Sequence, residues 1–480
     1  ILPSSLEELS GVLGPLRDSK MKLTPRGGGS STAGGCLGRD GVISLAKRDF
    51  LSSIGELQFI QSSQGSQAHL RVGAGVVHAR LQSFLKEKGY HLPADPSSAK
   101  LCCIGGNVAT KASGPHAFRH GSIARYVKDL SFLTPRGELV DTSRPSSIPS
   151  YISKGLDDLR RAIRADPLAH QRLSERKGRK IASGYNLFPF LEDWEIPRLL
   201  ARVLVGSVGT LGIVLSVDLF VEKEERDRTS LLLCFDSLFE AGEAVSCLRE
   251  VDDVAAIEIV NASSLKVVAQ RRGEDALAKL GGHVLLVDFA GDDCRAAISE
   301  VEKRLEGVSR SSLSLSPEEE TKVWALRKAL MPTFARFSKH ERALSLVNDI
   351  GVDPAYLAQF ISDVEKIFHR HGLLAAIYGH AGNGNLHLRP VFDLQSPDLA
   401  KTMERLSKEV YEACFRYDGT ITAEHGMGPL RAPFLEAEWG RELIGHMKSL
   451  KKLFDGDDFF NPEAMFTKKG LLDDMAPELC

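Results

Sequence analysis

The stretch Pro25-Arg26-Gly27-Gly28-Gly29-Ser30-Ser31-Thr32 decides how this chain is read. Successive glycines let backbone amides turn toward one point, and the flanking hydroxyls and Arg26 add donors, which suits a diphosphate. A flexible surface turn would have the same composition, so the loop needs company. It is not a P-loop, because the Gly-Lys-Ser/Thr ending that cradles nucleoside phosphates is missing. Nor does Gly73-Ala74-Gly75-Val76-Val77-His78 make a dinucleotide fingerprint, even with Asp95 downstream as a ribose partner. His78 stands where close helix–strand packing wants glycine.

Two further segments supply the company: Ile104-Gly105-Gly106-Asn107-Val108-Ala109-Thr110-Lys111-Ala112-Ser113-Gly114 and Val205-Gly206-Ser207-Val208-Gly209-Thr210-Leu211-Gly212-Ile213. Each mixes small residues with amide or hydroxyl donors. Separated by strands in one domain, such loops fit a cofactor that presses both a ring system and a diphosphate against backbone.

Working outward, 480 residues exceed what one core organises, so two or three domains are expected. Hydrophobic residues at 43% and charged residues at 26% are globular proportions, which exclude a disordered or fibrous chain. A formal net charge of -2 leaves no field to gather nucleic acid or an anionic membrane. No apolar run approaches the roughly 20 residues of a spanning helix, and Ile1 opens no signal peptide. The expectation is a cytoplasmic chain that meets a membrane only through a partner. The eight cysteines are scattered without a CxxC pair, which fits a reducing compartment. The missing initiator Met raises the expectation of a piece of a longer polypeptide.

Residues 1–221 alternate short apolar runs with glycine clusters, carry helical spacing over 77–88, and read as an α+β domain. From 222 the texture becomes strand, helix, strand over 231–235, 238–249 and 255–260, and again over 283–289, 294–305 and 311–315. These two βαβ-like halves predict a separate α+β substrate domain over 222–440. Residues 441–480 form a C-terminal segment returning to the first domain through the turn that ends in Asn461-Pro462. Residues 144–176, rich in Ser, Pro and charge, read as a surface excursion.

The second domain carries its own chemistry. Tyr378-Gly379-His380-Ala381-Gly382-Asn383-Gly384-Asn385-Leu386-His387 predicts a hairpin, with strands over 375–380 and 386–391. On one continuous strand His380 and His387 would face opposite sides, so the turn is what makes a chelate possible. Thr422-Ala423-Glu424-His425-Gly426-Met427-Gly428 offers a third ligand in Glu424. Two histidines and one carboxylate with open positions suit Zn²⁺, Mn²⁺ or Fe²⁺. Satisfied structural histidines would be the bland account of a lone imidazole, and this ensemble argues against it. His425 adds the side-chain type best matched to proton transfer near neutral pH. Arg327, in Trp324-Ala325-Leu326-Arg327, offers a fork for a carboxylate, or else a surface salt bridge. Asn385 is a substrate contact or a turn residue.

Taken together, these segments resemble the FAD-binding oxidoreductases of the vanillyl-alcohol oxidase or PCMH fold. The nearest likeness is to the branch of D-lactate dehydrogenase, glycolate oxidase and D-2-hydroxyglutarate dehydrogenase. The loops match that family's PRGGGTS, GGN-A-ASG and GSEGTLGI segments, and the histidines match its HxGxGNxH and EHG settings, in order from Ile1 to about Phe466. The resemblance implies a two-part PCMH-type FAD-binding domain followed by an α+β substrate domain of the FAD-linked oxidase C-terminal type.

It further implies that Pro25, Arg26, Gly27, Gly28, Gly29, Ser30, Ser31 and Thr32 hold the diphosphate, with Pro93, Asp95 and Ser97 lining the flavin entry. Gly105, Gly106, Asn107, Ser113 and Gly114 would follow the FAD. Gly206, Thr210, Gly212 and Ile213 would close over its adenine side, and Asn461 would fold back onto it. No histidine lies within 27–32, where covalent relatives often carry one, so non-covalent FAD is expected.

By the same resemblance a divalent metal on His380, His387 and Glu424 chelates a small 2-hydroxy acid. His425 takes the hydroxyl proton, Arg327 and Asn385 bind the acid, and hydride passes to flavin N5. Electrons would then leave to a carrier such as a fused or separate iron–sulfur domain, an electron-transfer flavoprotein or a quinone. Cys480 would be the first thiolate of such a domain, or a stray terminal residue. A transferase or alcohol oxidase of the same fold, and a flavin electron-transfer subunit, are the alternatives. The sequence also departs from the family. Val208 stands where an acidic residue is usual, Lys111 where Asn is usual, and His120 where Tyr usually precedes Gly121. Val347 and Asn348 occupy the place of an expected lysine, which leaves recognition of a second substrate carboxylate open.

Overall fold

The computed structural model describes residues 1–62, 65–224, 227–273, 281–335 and 337–473; Cys480 and the residues 475–479 before it lie outside them. Two compact units emerge. The first comprises Ile1–Ser113, Gly121–Glu224 and Glu424–Gly470, the second Gly114–His120, Glu225–Ala423 and the last described residues from 471. The return to the first unit thus comes at Glu424 rather than 441. The reason is local: a Cβ on Gly428 would stand 2.1 Å from the Ala33 carbonyl oxygen, so this backbone is packed into the segment after the first glycine loop.

In the first unit, Leu23–Arg26 and Gly41–Ser44 pair in parallel, and the strand leads straight into the glycine loop. A second sheet runs in the order Gln58–Ser62, Gly65–Gly73, Ile213–Lys223, Val127–Leu133, Leu139–Asp141, all antiparallel, with Tyr90–His91 also on Ile213–Lys223. Leu9, Leu13, Leu23, Ile43, Leu133, Ile213 and Phe460 form a core beneath the loops. Burial of these aliphatic side chains fixes the strand ends, and hence the loops, in place.

Residues 144–176 are not an excursion. They fold as helices Ser150–Ala165 and Pro167–Arg176, the first burying Ile152, Leu156, Leu159 and Ile163 on one face. The serines and charges occupy the opposite, solvated face, so composition masked a helical period. Asp166 caps the second helix by accepting from the Ala169 amide at 3.1 Å. Arg176, 1% exposed, meets Glu438 at 3.1 Å, where the Ser183 hydroxyl also donates at 2.6 Å.

The helix Ile104–Thr110 ends on Lys111 in the left-handed region, φ 56°, where asparagine is tolerated better than lysine. Lys111 is half-buried, its ammonium donating to the Ile181 carbonyl at 2.9 Å and lying over the Phe188 ring. Burial lowers its pKa to about 8. Below pH 8 the folded protein therefore bears a buried charge that the unfolded chain keeps in water. Between pH 8 and roughly 10.5 the unfolded chain binds the extra proton, and stability rises with pH by up to about 3 kcal/mol. Lys111→Asn is expected to flatten that rise, read as denaturant unfolding at pH 7.5 and pH 10. An alkaline gain equal to that of the unmodified protein would contradict the assignment.

The second unit is built on an eight-stranded sheet in the order Ser311–Ser314, Arg228–Phe235, His283–Ala290, Val254–Val260, Ala375–His380, Asn385–Asp393, Glu341–Ala343, with Asn348–Gly351 also on Asn385–Asp393. The two strand–helix–strand runs do not form separate halves. Helix Leu238–Leu248 joins Arg228–Phe235 to Val254–Val260 across the antiparallel strand His283–Ala290, so the runs interdigitate as a split βαβ. The expected hairpin forms with Ala375–His380 and Asn385–Asp393, closed by a 3₁₀ turn over Ala381–Asn383. Gly384 completes it at φ 66°, and a Cβ there would stand 2.0 Å from the Val352 carbonyl oxygen.

Candidate functional site

The loop glycines of the first unit sort into two kinds. Gly28, Gly105 and Gly212 are dictated by packing: a Cβ would come within 1.9 Å of the Leu101 oxygen, 2.7 Å of Ala74 and 2.7 Å of Phe132. Gly106 faces open space, and Gly206 at φ 88° adopts a turn that side chains resist. Gly29, at φ 71°, leaves room for the Arg26 guanidinium, 2.6 Å from where a Cβ would stand. Within this cradle the Ser31 and Thr32 hydroxyls are buried with no hydrogen-bond partner among the described residues. Beside it a cleft of about 530 Å³ takes lining from Arg26, Gly27, Gly28, Lys47 and Lys100. Orphaned hydroxyls, an open glycine face and three cations make a donor set that fits the diphosphate of FAD.

Several residues expected on the cofactor are spent on positioning it. The Asn461 amide donates to the carbonyls of Gly35 at 2.8 Å and Val208 at 2.7 Å, while its own oxygen accepts from Thr24 at 3.1 Å. It clasps the strand Leu23–Arg26 and the loops at Gly35 and Val208. Thr210 donates to Ser207 O and meets the Tyr185 hydroxyl, each at 2.7 Å. Asn107 lies 3.0 Å from His78 Nδ1, and burial pushes that imidazole down to about 4 despite Asp95, so it is neutral at pH 7. Pro93 is buried, Ser97 exposed. Among the described residues, His78 Nε2 is buried without a hydrogen-bond partner.

The second unit assembles the histidine pair. The hairpin register sets Asn385 opposite His380 and His387 opposite Tyr378, and the two imidazoles stand perpendicular with their Nε2 atoms 3.4 Å apart. His380 Nδ1 lies 2.5 Å from Glu258, a carboxylate no sequence argument singled out. That contact puts the proton on Nδ1 and leaves the Nε2 lone pair facing His387. Two nitrogens bound at roughly 2.1 Å to one tetrahedral ion would also stand about 3.4 Å apart. The pair therefore fits a shared cation.

Arg327, on the helix Pro317–Ala335, reaches Glu258 through Nε and Nη2, both at 2.6 Å, and lies over the Tyr378 ring. It is not a surface salt bridge, since its side chain is only 10% exposed. Burial alone would raise the Glu258 pKa, but Arg327 and His380 outweigh it and hold the carboxyl below the usual range. Asn385 donates to Asp349 Oδ1 at 3.0 Å and to the Ile350 carbonyl at 3.2 Å, so its amide serves the turn. Asp349 is buried at φ 79°, accepts from Thr422 at 2.6 Å, and brings a carboxylate oxygen within 4.8 Å of a His387 ring nitrogen. Such strain in a buried acid is typical of functional sites. A lone acid inside the apolar run Val254–Val260 was the signal available for Glu258.

Glu424 and His425 fall in the first unit. Glu424 accepts from Lys180 at 2.6 Å and from Ser113 at 2.9 Å, and His425 Nε2 lies 3.7 Å from its other oxygen. Ser113 thus supports Glu424, and Lys180 is a further residue unmarked in the sequence. His425 remains one quarter exposed.

The FAD binding domain model matches residues 1–143, and the model of FAD linked oxidases, C-terminal domain, matches residues 224–465. The chain belongs to the FAD-linked oxidases, and it is an FAD-binding oxidoreductase. It is 26% identical over 473 residues to the mitochondrial D-lactate dehydrogenase [cytochrome] of Arabidopsis thaliana, covering 96% of this chain and 72% of that protein. Glycolate oxidase subunit GlcD of Bacillus subtilis is 24% identical, covering 98% and 88%. D-2-hydroxyglutarate dehydrogenase of Escherichia coli is 24% identical, covering 95% of this chain but 46% of that longer protein. Among solved structures, 4-ethylphenol oxidase from Gulosibacter chungangensis matches with a TM-score of 0.67 at 13% identity, over 97% of this chain and 88% of that one. p-Cresol methylhydroxylase matches at 0.65 and 11%, with the same coverage. These place the chain in the PCMH-type fold. Among the described residues, no helix is long and apolar enough to cross a membrane.

Proposed function

We propose that this enzyme oxidises a small D-2-hydroxy acid to the 2-oxo acid, with non-covalent FAD as immediate electron acceptor and a divalent cation on His380 and His387. The observation that carries it is the buried imidazole pair, two Nε2 atoms 3.4 Å apart with one tautomer fixed by Glu258. When bound, FAD supplies a two-electron acceptor and the cation a Lewis acid for the substrate hydroxyl.

The chain's own residues do the rest. His425, partly exposed, receives the hydroxyl proton and releases it to solvent. Arg327 binds the substrate carboxylate with the N–H groups that Glu258 leaves over. Asn385 holds the hairpin turn to Asp349, and that is the role assigned to it here in place of direct substrate contact. Val347 and Asn348 bring no positive charge, which favours a monocarboxylate over a dicarboxylate. Electrons leave to a carrier such as an iron–sulfur domain, an electron-transfer flavoprotein or a quinone, and the compartment proposed is the cytoplasm. A transferase or flavin-shuttle role would leave the imidazole pair without a task.

The test is an anaerobic titration of the FAD-loaded protein with D- and L-lactate, glycolate and D-2-hydroxyglutarate. Bleaching of the flavin by a D-acid or glycolate is expected, lost with a chelator and restored by Zn²⁺ or Mn²⁺. No bleaching by any of them, with flavin and metal both full, would overturn the reading.

A further inference from the structure

Glu258 is the one carboxylate, among the described contacts, that touches both a proposed metal ligand and the proposed carboxylate-binding arginine. It is fully buried on the strand Val254–Val260, and the sheet register sets it directly opposite His380 on Ala375–His380. Cross-strand neighbours are held within a few ångströms by the ladder itself. Oε1 meets His380 Nδ1 at 2.5 Å, and Oε2 takes Nε and Nη2 of Arg327, each at 2.6 Å. A buried charge survives only when paired and hydrogen-bonded, and here each oxygen is committed to a different functional group.

We infer that Glu258 is a positioning residue that fixes the His380 tautomer for metal binding and, through its other oxygen, the orientation of the Arg327 guanidinium. The assignment rests on the metal reading above. One carboxylate would thus tie the imidazole proposed to hold the cation to the guanidinium proposed to bind the substrate carboxylate.

Glu258→Gln keeps the shape but has a single acceptor oxygen, so it cannot serve both partners. Zinc affinity of the flavin-loaded protein, measured by competition with a chromophoric chelator, is expected to fall by about ten- to a hundredfold. A purely structural role would lower the melting temperature and leave the affinity of the folded protein unchanged. Should the single variant fail to accumulate, Glu258→Gln with Arg327→Gln removes both charges together and is expected to show the same loss. Zinc binding by either folded variant as tight as in the unmodified protein overturns the role of Glu258. An unmodified protein that takes up no zinc overturns both this role and the metal reading. Loss of zinc in His387→Ala alone, with Glu258→Gln unaffected, overturns only the role of Glu258.

Discussion

Replacing His387 by alanine is expected to lower the rate of flavin reduction by a 2-hydroxy acid about a thousandfold or more, while bound FAD keeps its spectrum. A Lewis acid contributes several kcal/mol to a developing oxyanion, and each 1.4 kcal/mol or so is a factor of ten in rate. His387 stands on the hairpin, outside the glycine-rich segments proposed to hold FAD. Its removal is expected to empty the cation site and to leave flavin binding intact. Stopped-flow reduction under anaerobic conditions, with metal content measured alongside, checks both halves. A variant that loses zinc but reduces its flavin at the normal rate would remove the cation from the chemistry.

The second large effect is at His425. Alanine there is expected to slow flavin reduction by about a hundred- to ten-thousandfold, the usual range for a lost general base, with metal content unchanged. The two variants thus separate cleanly, since one loses metal and rate together and the other rate alone. The residual rate of the alanine variant should rise with pH, because hydroxide takes over the proton transfer. A pH-independent residual rate, or loss of metal on changing His425, would assign that imidazole elsewhere.

Both predictions fall on residues visible in the sequence, His425 through its place in Glu424-His425-Gly426 and His387 through the hairpin pattern. The Gly/Asn turn between two apolar runs fixes a hairpin, and a hairpin fixes which side chains meet, so His380 and His387 were legible from local rules. The loop 25–32 could be read only together with the segments 104–114 and 205–213, since a surface turn shares its composition. The helices over 150–176 were obscured because their solvated face supplies most of the composition. Asn461 was read as a cofactor contact, but its amide is engaged by two backbone carbonyls and the Thr24 hydroxyl, which make it a clasp.

By itself, then, the sequence determined the order of the glycine-rich segments and the imidazole pair, because turns and strand alternation act over a few residues. Only the tertiary structure decided that Glu258, 122 positions from His380, stands against it, that Asp349 holds Asn385, and that Lys180 reaches Glu424. Those contacts follow from strand register and long-range packing, to which no local pattern of residues is bound.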